Sequence, residues 1–452
     1  MDTSERDSRI RNQRLDGYWG IWFKLGQYDG PYGDKYSGGL GTYTMKHDPM
    51  AIYAPAVSRT FFTYGGTRPD ERDLLVMVGA YDHESHEVSR PTVVDTKPEP
   101  DPQYDSDSVV DPHDNASISL DDDGHITVFV AGRSRIRPGR VYRSVEPYRA
   151  DSFELITQRE HFAYPQPRWV DDRYVLLFTR YDEDGNRELF WETTRNGRET
   201  DPSKLAGIGG HYQVSDEWDG AVCTAFNWHP DGDVDRRTNL YVVMTRDGET
   251  WQTVDGTLID TPLEEPDNDA LAVKYHDSDR LVYLNDLAVD EAGRPAVLYV
   301  TSGGPEPGPR NDPRRWRLTR WTGSEWRTTT VTTSNHNYDS GSLSVEDDTW
   351  SVVGPTEPGP SVYRTGGDIA LWQSECGIDW TLDRQITSDS EQNHTYVRCP
   401  QDGSEPFRAF WADGDPDSSS PSRLYVSDFA GRYWQLPESI DGDAAPLIGP
   451  IG

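Results

Sequence analysis

The segment LYVVMTRDGETW (240–251) joins a short apolar run to a turn that contains glycine and ends in tryptophan. Similar runs of four to seven residues recur along the chain, and clusters of Asp, Gly, Asn and Pro bound each of them. This arrangement is typical of strands and turns. Further runs are ITVFV (126–130), YVLLF (174–178), AVLYV (296–300) and WSVVG (350–354). No window has a sustained helical period with caps, so the sequence predicts an all-β fold.

The turn in this segment, Thr245–Trp251, has two further copies of the pattern [S/T]-x-x-G-x-x-[W/T], at Thr194–Thr200 and Ser374–Trp380. The first two copies start 51 residues apart. All three resemble the Asp-box turns of sialidase-like β-propellers, with one residue fewer. A single copy is equally consistent with an ordinary glycine-containing hairpin. Three copies on a scale of roughly 50 residues favour the four-stranded blades of a propeller.

We therefore predict one β-propeller domain over residues 16–452, preceded by a flexible polar segment over residues 1–15. The chain length divided by roughly 50–60 residues per blade predicts seven blades, with eight as the alternative. The early strand GYWGIWF (17–23) is expected to help close the ring with the last strands, near residues 423–436.

The composition excludes several classes of partner. The 452 residues include 44 Lys and Arg and 78 Asp and Glu, which gives a net charge of −34 at pH 7. Nucleic acids and anionic membrane surfaces require a basic protein surface, so neither is an expected partner. Only 6 of the 44 basic residues are Lys. This acidic, arginine-rich composition predicts adaptation to high salt, which screens self-repulsion; an ordinary acidic surface is the alternative.

The sequence carries no sign of export or membrane insertion. The first 17 residues are polar, and the chain has no run of ~20 apolar residues. Its three cysteines are widely spaced and form no disulfide framework. We predict a cytoplasmic monomer; a secreted protein whose leader has been removed is the alternative.

Polar residues lie at the ends of several apolar runs, where the inner strands of a propeller meet its central channel. Asn and His are costly to bury without partners, so several of them at one channel suggest a functional cavity. Polar loop residues on the two faces of the propeller are the alternative. The predicted substrate-binding residues are Asn115, Asn227, His336, Tyr338, His394 and Arg398.

Motifs spread over most of the chain carry a resemblance to a known family. They are DPHDNASISLDDDG (111–124), YPQP…LLFTR (164–180), TAFNWHP (224–230), NHNYDSG (335–341) and NHTYVR (393–398). With them the chain resembles the BNR-repeat proteins that include ulvan lyases and related seven-bladed polysaccharide lyases. The resemblance implies an enzyme that cleaves an acidic, uronate-containing polysaccharide or oligosaccharide by β-elimination.

The resemblance also implies site residues. It points to His113 in the DxHxN-like motif, Tyr164 before a proline and Arg180 at the end of the next strand, while the second His of the family falls on Arg133. β-Elimination needs a cation to neutralise the uronate carboxylate, and Arg binds carboxylate through two parallel hydrogen bonds. It also needs a base and an acid. Nearby arginines would lower the pKa of Tyr164, and His113 would act as base or bind the carboxylate.

Two other functions stay open at this point. A glycoside hydrolase needs two carboxylates that flank the bond, and the candidates are Asp111, Asp114, Asp286 and Asp368. A carbohydrate-binding propeller without activity would keep the pocket alone. The resemblance also implies a structural divalent metal, Zn²⁺ or Ca²⁺, for which His229 and Asp286 are the candidate ligands. No organic cofactor is expected.

Overall fold

The computed structural model describes most of the chain, namely residues 12–24, 30–41, 44–69, 71, 74–96, 113, 115–133 and 137–451. Most of the predicted polar segment 1–15, and the candidates Asp111 and Asp114, lie outside the described residues. Short 3-10 turns occur at Thr44–Lys46, Pro55–Val57, Pro230–Gly232, Val234–Arg236, His276–Ser278 and Pro309–Asn311. The remaining regular structure is strand, which confirms the predicted all-β class. In the described part, no helix is long and apolar enough to cross a membrane.

The first seven strands belong to one large sheet. They are β1 (Gly20–Lys24), β2 (Ser37–Gly38), β3 (Ala51–Ala54), β4 (Arg59–Gly66), β5 (Leu75–Asp82), β6 (Glu87–Ser89) and β7 (Thr92–Thr96).

Five antiparallel four-stranded sheets follow, each made from consecutive strands. The first blade contains β8 (Ala116–Leu120), β9 (Ile126–Val130), β10 (Gly139–Ser144) and β11 (Phe153–Arg159). The second contains β12 (Ala163–Val170), β13 (Arg173–Tyr181), β14 (Arg187–Thr194) and β15 (Ser203–Ala206). The third contains β16 (Gln213–Trp218), β17 (Ala221–Trp228), β18 (Thr238–Thr245) and β19 (Leu271–Val273). The fourth contains β20 (Leu281–Val289), β21 (Pro295–Ser302), β22 (Arg314–Trp321) and β23 (Trp326–Ser334). The fifth contains β24 (Ser342–Glu346), β25 (Thr349–Glu357), β26 (Asp368–Ser374) and β27 (Thr381–Gln385).

The C-terminal strands complete the sixth blade and return to the first sheet. They are β28 (Asn393–Arg398), β29 (Ala409–Gly414), β30 (Ser420–Ser422), β31 (Leu424–Ser427), β32 (Tyr433–Gln435), β33 (Ala444–Pro446) and β34 (Ile448–Ile451). β28, β29, β31, β32 and β34 form the sixth blade. β30 pairs with β1, and β33 pairs with β6, so both chain ends share the large sheet.

The described residues therefore form six blades, and the prediction of seven was wrong. The strands outside the six blades join one nine-stranded sheet, which combines β1–β7 with β30 and β33. The expected closure between the chain ends is present, because Gly20 pairs with Ser422, just before the stretch that the sequence suggested. Pairing between strands at the two ends of the chain leaves no local pattern in the sequence. Dividing the chain length by the number of residues per blade therefore could not show that these strands share one sheet.

The repeated turn has the same place in three blades. Its copies begin at the last residues of β14, β18 and β26, and each joins the third strand of a blade to the fourth. The central glycines, Gly197, Gly248 and Gly377, have φ of +73°, +67° and +67°, a conformation that disfavours residues with a side chain. The Thr245 hydroxyl accepts a 2.9 Å hydrogen bond from the Gly248 amide, which closes the turn. The sequence correctly predicted this turn as a blade element.

The middle strands of the blades are buried on both faces, because each blade packs between two others. β13, with the sequence RYVLLFTRY, is buried from Tyr174 to Thr179. Such strands read as continuous apolar runs and not as alternating ones. The first strands of successive blades contact one another, from β8 and β12 through β16 and β20 to β24. These first strands therefore line the axis of the propeller.

Candidate active site

Aromatic side chains form a collar where the first strands begin. We define the aromatic collar as Tyr36, His113, Tyr164, Tyr212, Tyr283, Tyr338 and Tyr396. Ring centres lie 5.6 Å apart for Tyr36–His113, 6.3 Å for His113–Tyr164, 5.6 Å for Tyr164–Tyr212, 5.2 Å for Tyr283–Tyr338 and 4.8 Å for Tyr338–Tyr36. The Tyr396 hydroxyl donates to the Ser37 carbonyl, beside Tyr36. Residues from seven parts of the chain thus meet around the axis.

Tyr164 has an unusual main-chain conformation. Its φ is +51°, and it lies in a β-bulge between Ala163 and Gln166, where β12 shifts register against β13. A bulky residue in this region costs of order 1–3 kcal/mol unless its surroundings enforce the conformation. The Gln213 side chain donates to the Tyr164 carbonyl at 3.1 Å, which helps to hold the bulge in place. The bulge fixes the position of the Tyr164 side chain in the collar.

Tyr212 lies against two guanidinium groups and a buried lysine, and burial lowers the pKa of that lysine, Lys46, well below its usual value. The centre of its ring is 5.0 Å from the Arg187 guanidinium, 5.2 Å from that of Arg237 and 5.8 Å from Lys46 Nζ. Arg237 also donates to the Tyr338 hydroxyl at 3.0 Å. The His229 ring packs edge-on against Tyr212 at 5.0 Å. Tyr212 is therefore a buried phenol surrounded by positive charge.

The surroundings separate the pKa values of the collar tyrosines. Burial raises the pKa of Tyr164 well above its usual value, and raises that of Tyr283 to about 12. Burial acts in the same direction on Tyr212, but the positive charges of Arg187 and Arg237, together with His113 and a hydrogen bond to Tyr164, lower its pKa to about 8. The expected lowering of the Tyr164 pKa was therefore wrong: its neighbour Tyr212 has the lowered pKa.

His113 and Arg133, which the resemblance assigned to one site, are in direct contact. Arg133 donates to His113 Nδ1 at 3.1 Å. The arginine that replaces the second His of the family therefore holds the imidazole of the first. The Arg133 guanidinium can only donate, so His113 Nδ1 is the acceptor in this contact. His113 packs edge-on against Tyr164, so these three predicted residues lie side by side.

Arg180, the fourth residue that the resemblance assigned to the site, contacts other residues than His113, Arg133 and Tyr164 do. Its guanidinium pairs with Glu199 at 2.7 Å and stacks over Phe178 and Phe190, at 5.5 and 5.0 Å. Arg187 follows it in the hairpin and lies over both Tyr181 and Tyr212. Arg187, and not Arg180, is therefore the arginine of this hairpin that contacts Tyr212. A catalytic role for Arg180 stays a prediction.

Of the predicted substrate-binding residues, Tyr338 and His336 lie at the collar. Tyr338 is a collar member, and the His336 ring centre is 6.1 Å from it. His336 Nδ1 accepts from the Tyr338 amide at 3.2 Å, and burial lowers the pKa of His336 to about 3, so this imidazole is neutral. Asn227 lies behind the collar, where its side chain accepts from the Tyr212 amide at 2.8 Å and donates to the Val282 carbonyl at 2.9 Å.

The other predicted substrate-binding residues are engaged elsewhere. The Asn115 side chain donates to the Leu40 carbonyl at 2.7 Å. His394 accepts from the Trp411 indole at 2.9 Å and contacts the Ser390 hydroxyl at 3.0 Å. Arg398 pairs with Asp286 at 3.0 Å. These contacts give the three residues structural roles, and substrate binding by them stays a prediction.

The two candidate metal ligands lie in different surroundings, and a metal role for them stays a prediction. The Asp286 carboxylate pairs with Arg398 and accepts a 2.9 Å hydrogen bond from the Leu343 amide. His229 is fully buried, and both ring nitrogens lack a hydrogen-bond partner among the described residues. Burial and the charges of Arg187 and Arg237 lower its pKa well below the usual value, and the same charges repel a metal ion. Within the described ranges, no group of three or more His, Cys, Asp or Glu residues is arranged to hold a metal.

Sequence reasoning missed Tyr212 and the cations around it, although a signal was present. Each of five motifs places one tyrosine at or near the start of a first strand: HFAYPQP (161–167), GGHYQV (209–214), RLVYLND (280–286), NHNYDSG (335–341) and NHTYVR (393–398). Arginines recur in a similar way at or just before the third strands of the second to fourth blades, as Arg187, Arg237 and Arg314. A search for polar residues repeated from blade to blade would have found both sets.

Comparison with known proteins agrees with the fold. Residues 69–334 match the sequence profile of a family described as a BNR repeat-containing family. No curated protein matches the sequence. Among solved structures, a PL25 ulvan lyase is 15% identical, with a TM-score of 0.69 over 92% of this chain and 96% of that chain.

Two further solved structures are similar. A PL25 ulvan lyase bound to -[GlcA(1-4)Rha3S]- gives a TM-score of 0.68 at 15% identity, over 92% of this chain and 96% of that chain. The polysaccharide lyase Uly1 gives 0.63 at 13% identity, over 95% of this chain and 100% of that chain. At these identities, the similarity shows a shared fold.

Proposed function

The chain belongs to the BNR repeat-containing family, and from this premise we propose that it is a polysaccharide lyase that cleaves an acidic, uronate-containing glycan by β-elimination. The aromatic collar is the proposed active site. The fold shared with ulvan lyases, one of them bound to a glycan that contains glucuronate, supports this class of substrate.

The observation that carries the proposal is the buried tyrosine among cations. β-Elimination builds up negative charge on the uronate carboxylate as the proton leaves C5, so the site needs fixed positive charge. Arg187 and Arg237 supply such charge beside Tyr212, and Arg133 supplies it beside His113. The same cations favour a phenolate, which can act as a base. One arrangement therefore provides both the neutraliser and a base.

The collar also suits a sugar. Aromatic rings offer flat apolar faces with a polar tip, and guanidinium groups bind carboxylate through two parallel hydrogen bonds. The net charge of −34 would repel a polyanionic glycan at low salt. The cations at the collar attract the glycan locally, and high salt screens the repulsion from the rest of the protein.

A screen against uronate-containing polysaccharides at high salt tests this function. A lyase forms an unsaturated uronate that absorbs in the ultraviolet together with new reducing ends. A hydrolase forms reducing ends without the absorbance, and a carbohydrate-binding protein forms neither. We expect both signals from the natural protein. We expect Tyr164→Phe to abolish them, whereas Tyr174→Phe, at a buried tyrosine bonded to Thr127 outside the collar, keeps them. Reducing ends alone would contradict the proposal.

A further inference from the structure

Tyr212 and Tyr164 form a pair of phenols whose surroundings differ. Their ring centres are 5.6 Å apart, and their side chains are hydrogen-bonded. Tyr212 faces the guanidinium groups of Arg187 and Arg237. Tyr164 is 2% exposed and packs between Tyr212 and the rings of His113 and His47. The two hydroxyls thus share one hydrogen bond but experience different fields.

We infer that Tyr212 is the base that removes the C5 proton and that Tyr164 is the acid that protonates the leaving oxygen. This inference rests on the proposed lyase function and adds the division of roles. It differs from the assignment that the resemblance implies, in which Tyr164 is the only catalytic tyrosine. Arg187 and Arg237 then become the groups that keep Tyr212 ionised.

The chemical step balances within this pair. The Tyr212 phenolate takes the proton from C5, and the C5–H electron pair becomes the second bond between C4 and C5. The C4–O bond breaks, its electron pair leaves with the glycosidic oxygen, and the Tyr164 hydroxyl gives that oxygen a proton. Tyr212 is then a neutral phenol and Tyr164 a phenolate. No oxidant, reductant or other reactant is needed.

The hydrogen bond between the two tyrosines restores the starting state. After the reaction the charge is on Tyr164, whose pKa burial raises well above the usual value, and the proton is on Tyr212, whose pKa the arginines lower to about 8. Transfer of the proton from Tyr212 to Tyr164 is therefore downhill, and it needs no water. Two groups whose surroundings separate their pKa values divide the acid and base roles in this way.

The first test uses the ligand-free protein and needs no activity. Tyrosinate absorbs in the ultraviolet at longer wavelength than tyrosine, so a titration reports ionisation directly. We expect one tyrosine to ionise near pH 8 in the natural protein and in Tyr174→Phe, and this transition to be missing in Tyr212→Phe. A transition that persists in Tyr212→Phe would overturn the inference.

The second test is the pH dependence of kcat/KM on a polysaccharide that the natural protein cleaves. Its acid limb reports the pKa of the base in the free enzyme. We expect Tyr212→Phe to lose roughly 100-fold or more, as is typical when a general base is removed. Because this variant could fail for structural reasons, 3-fluorotyrosine at position 212 provides a second probe. It keeps the shape and makes the phenol more acidic, so the acid limb should move to lower pH.

The outcomes separate the two claims. If the natural protein forms no unsaturated product from any uronate polysaccharide, the proposed function fails, and the base role of Tyr212 fails with it. If the natural protein is a lyase but 3-fluorotyrosine at position 212 leaves the acid limb in place, the inference alone is wrong. The inference is supported if 3-fluorotyrosine at position 212 moves the acid limb to lower pH and 3-fluorotyrosine at position 174 does not.

Discussion

Asn227 forms hydrogen bonds with both the main-chain amide and the main-chain carbonyl of Tyr212. The Asn227 side-chain oxygen accepts from the Tyr212 amide at 2.8 Å, and the Asn227 amide donates to the Tyr212 carbonyl at 3.2 Å. The Asn227 side-chain nitrogen donates to Val282, on the first strand of the next blade. One buried amide thus links Tyr212 to two blades, and the position of the proposed base depends on it.

Asn227→Ala should lower both stability and turnover. The change leaves the buried Tyr212 amide and Val282 carbonyl without their partners, at a cost of about 1–3 kcal/mol for a buried group. It also removes one of the two hydrogen bonds from Asn227 to the Tyr212 main chain, so kcat should fall more than KM changes. The measurements are denaturant unfolding and steady-state kinetics. Asn239→Ala is the matched control, because Asn239 is another buried amide that bonds to main chain, at Tyr275 and His276, away from the collar. Equal loss of kcat in both variants would contradict a positioning role.

Arg237→Met should move the acid limb of the pH profile upward. Arg237 lowers the pKa of Tyr212, so its removal raises that pKa, and a higher pH is then needed to form the phenolate. Below the pKa, each unit of increase lowers the phenolate fraction roughly tenfold. Activity should therefore fall more at pH 7 than at pH 10, where the phenolate forms without this charge but the positive charge of Arg237 is still missing. Arg143→Met is the control, since Arg143 pairs with Asp121 on the first blade and is not a collar residue. A limb that moves equally in both variants, or in neither, would argue against this account.

The three residues of the collar that the sequence identified, His113, Tyr164 and Tyr338, share a property. Each lies in a local motif beside a first strand, so its place at the axis follows from the strand itself. Arg187 and Arg237 reach the collar from third strands, through the packing of one blade against the next. Such contacts depend on register between blades, which a single sequence does not reveal. The pKa of Tyr164 was misjudged for the same reason, because the sequence does not show which tyrosine the arginines face.

The contact between Tyr212 and Tyr164 also predicts the stereochemistry of the reaction. Two hydroxyls that touch reach the same face of a sugar, so the proton and the leaving oxygen must lie on that face. In a 4-linked D-glucuronate they do, whereas in its C5 epimer, L-iduronate, they lie on opposite faces. We expect ultraviolet-absorbing product from oligosaccharides with 4-linked D-glucuronate and at least 100-fold less from the C5 epimers, the size of effect that loss of a general acid or base produces. Equal cleavage of the two epimers would show that acid and base act from opposite sides.

Arg398→Met should destabilise the protein by about 3–5 kcal/mol, because it leaves the buried Asp286 carboxylate without its partner. Burial already raises the pKa of Asp286 although Arg398 opposes this, so without Arg398 the carboxylate should take up a proton at higher pH. Arg398→Met with Asp286→Leu should recover much of the loss, since it removes both charges together. The measurement is denaturant unfolding at pH 7. If Arg398→Met instead raised KM and left stability unchanged, the substrate-binding role predicted from the sequence would be correct.

Salt should stabilise this protein. The charge of −34 makes the folded chain repel itself, and the screening length falls from ~10 Å at 0.1 M salt to ~3 Å at 1 M. We expect the free energy of unfolding to rise with KCl over this range. The combined variant Asp122→Asn, Asp123→Asn and Glu249→Gln removes three exposed carboxylates and should flatten the dependence. Sucrose is the solvent control, because it stabilises by exclusion from the surface without screening. If KCl changed the stability of the natural protein and of the charge-reduced variant equally, self-repulsion would not be the cause, and the acidic composition would carry no sign of a saline habitat.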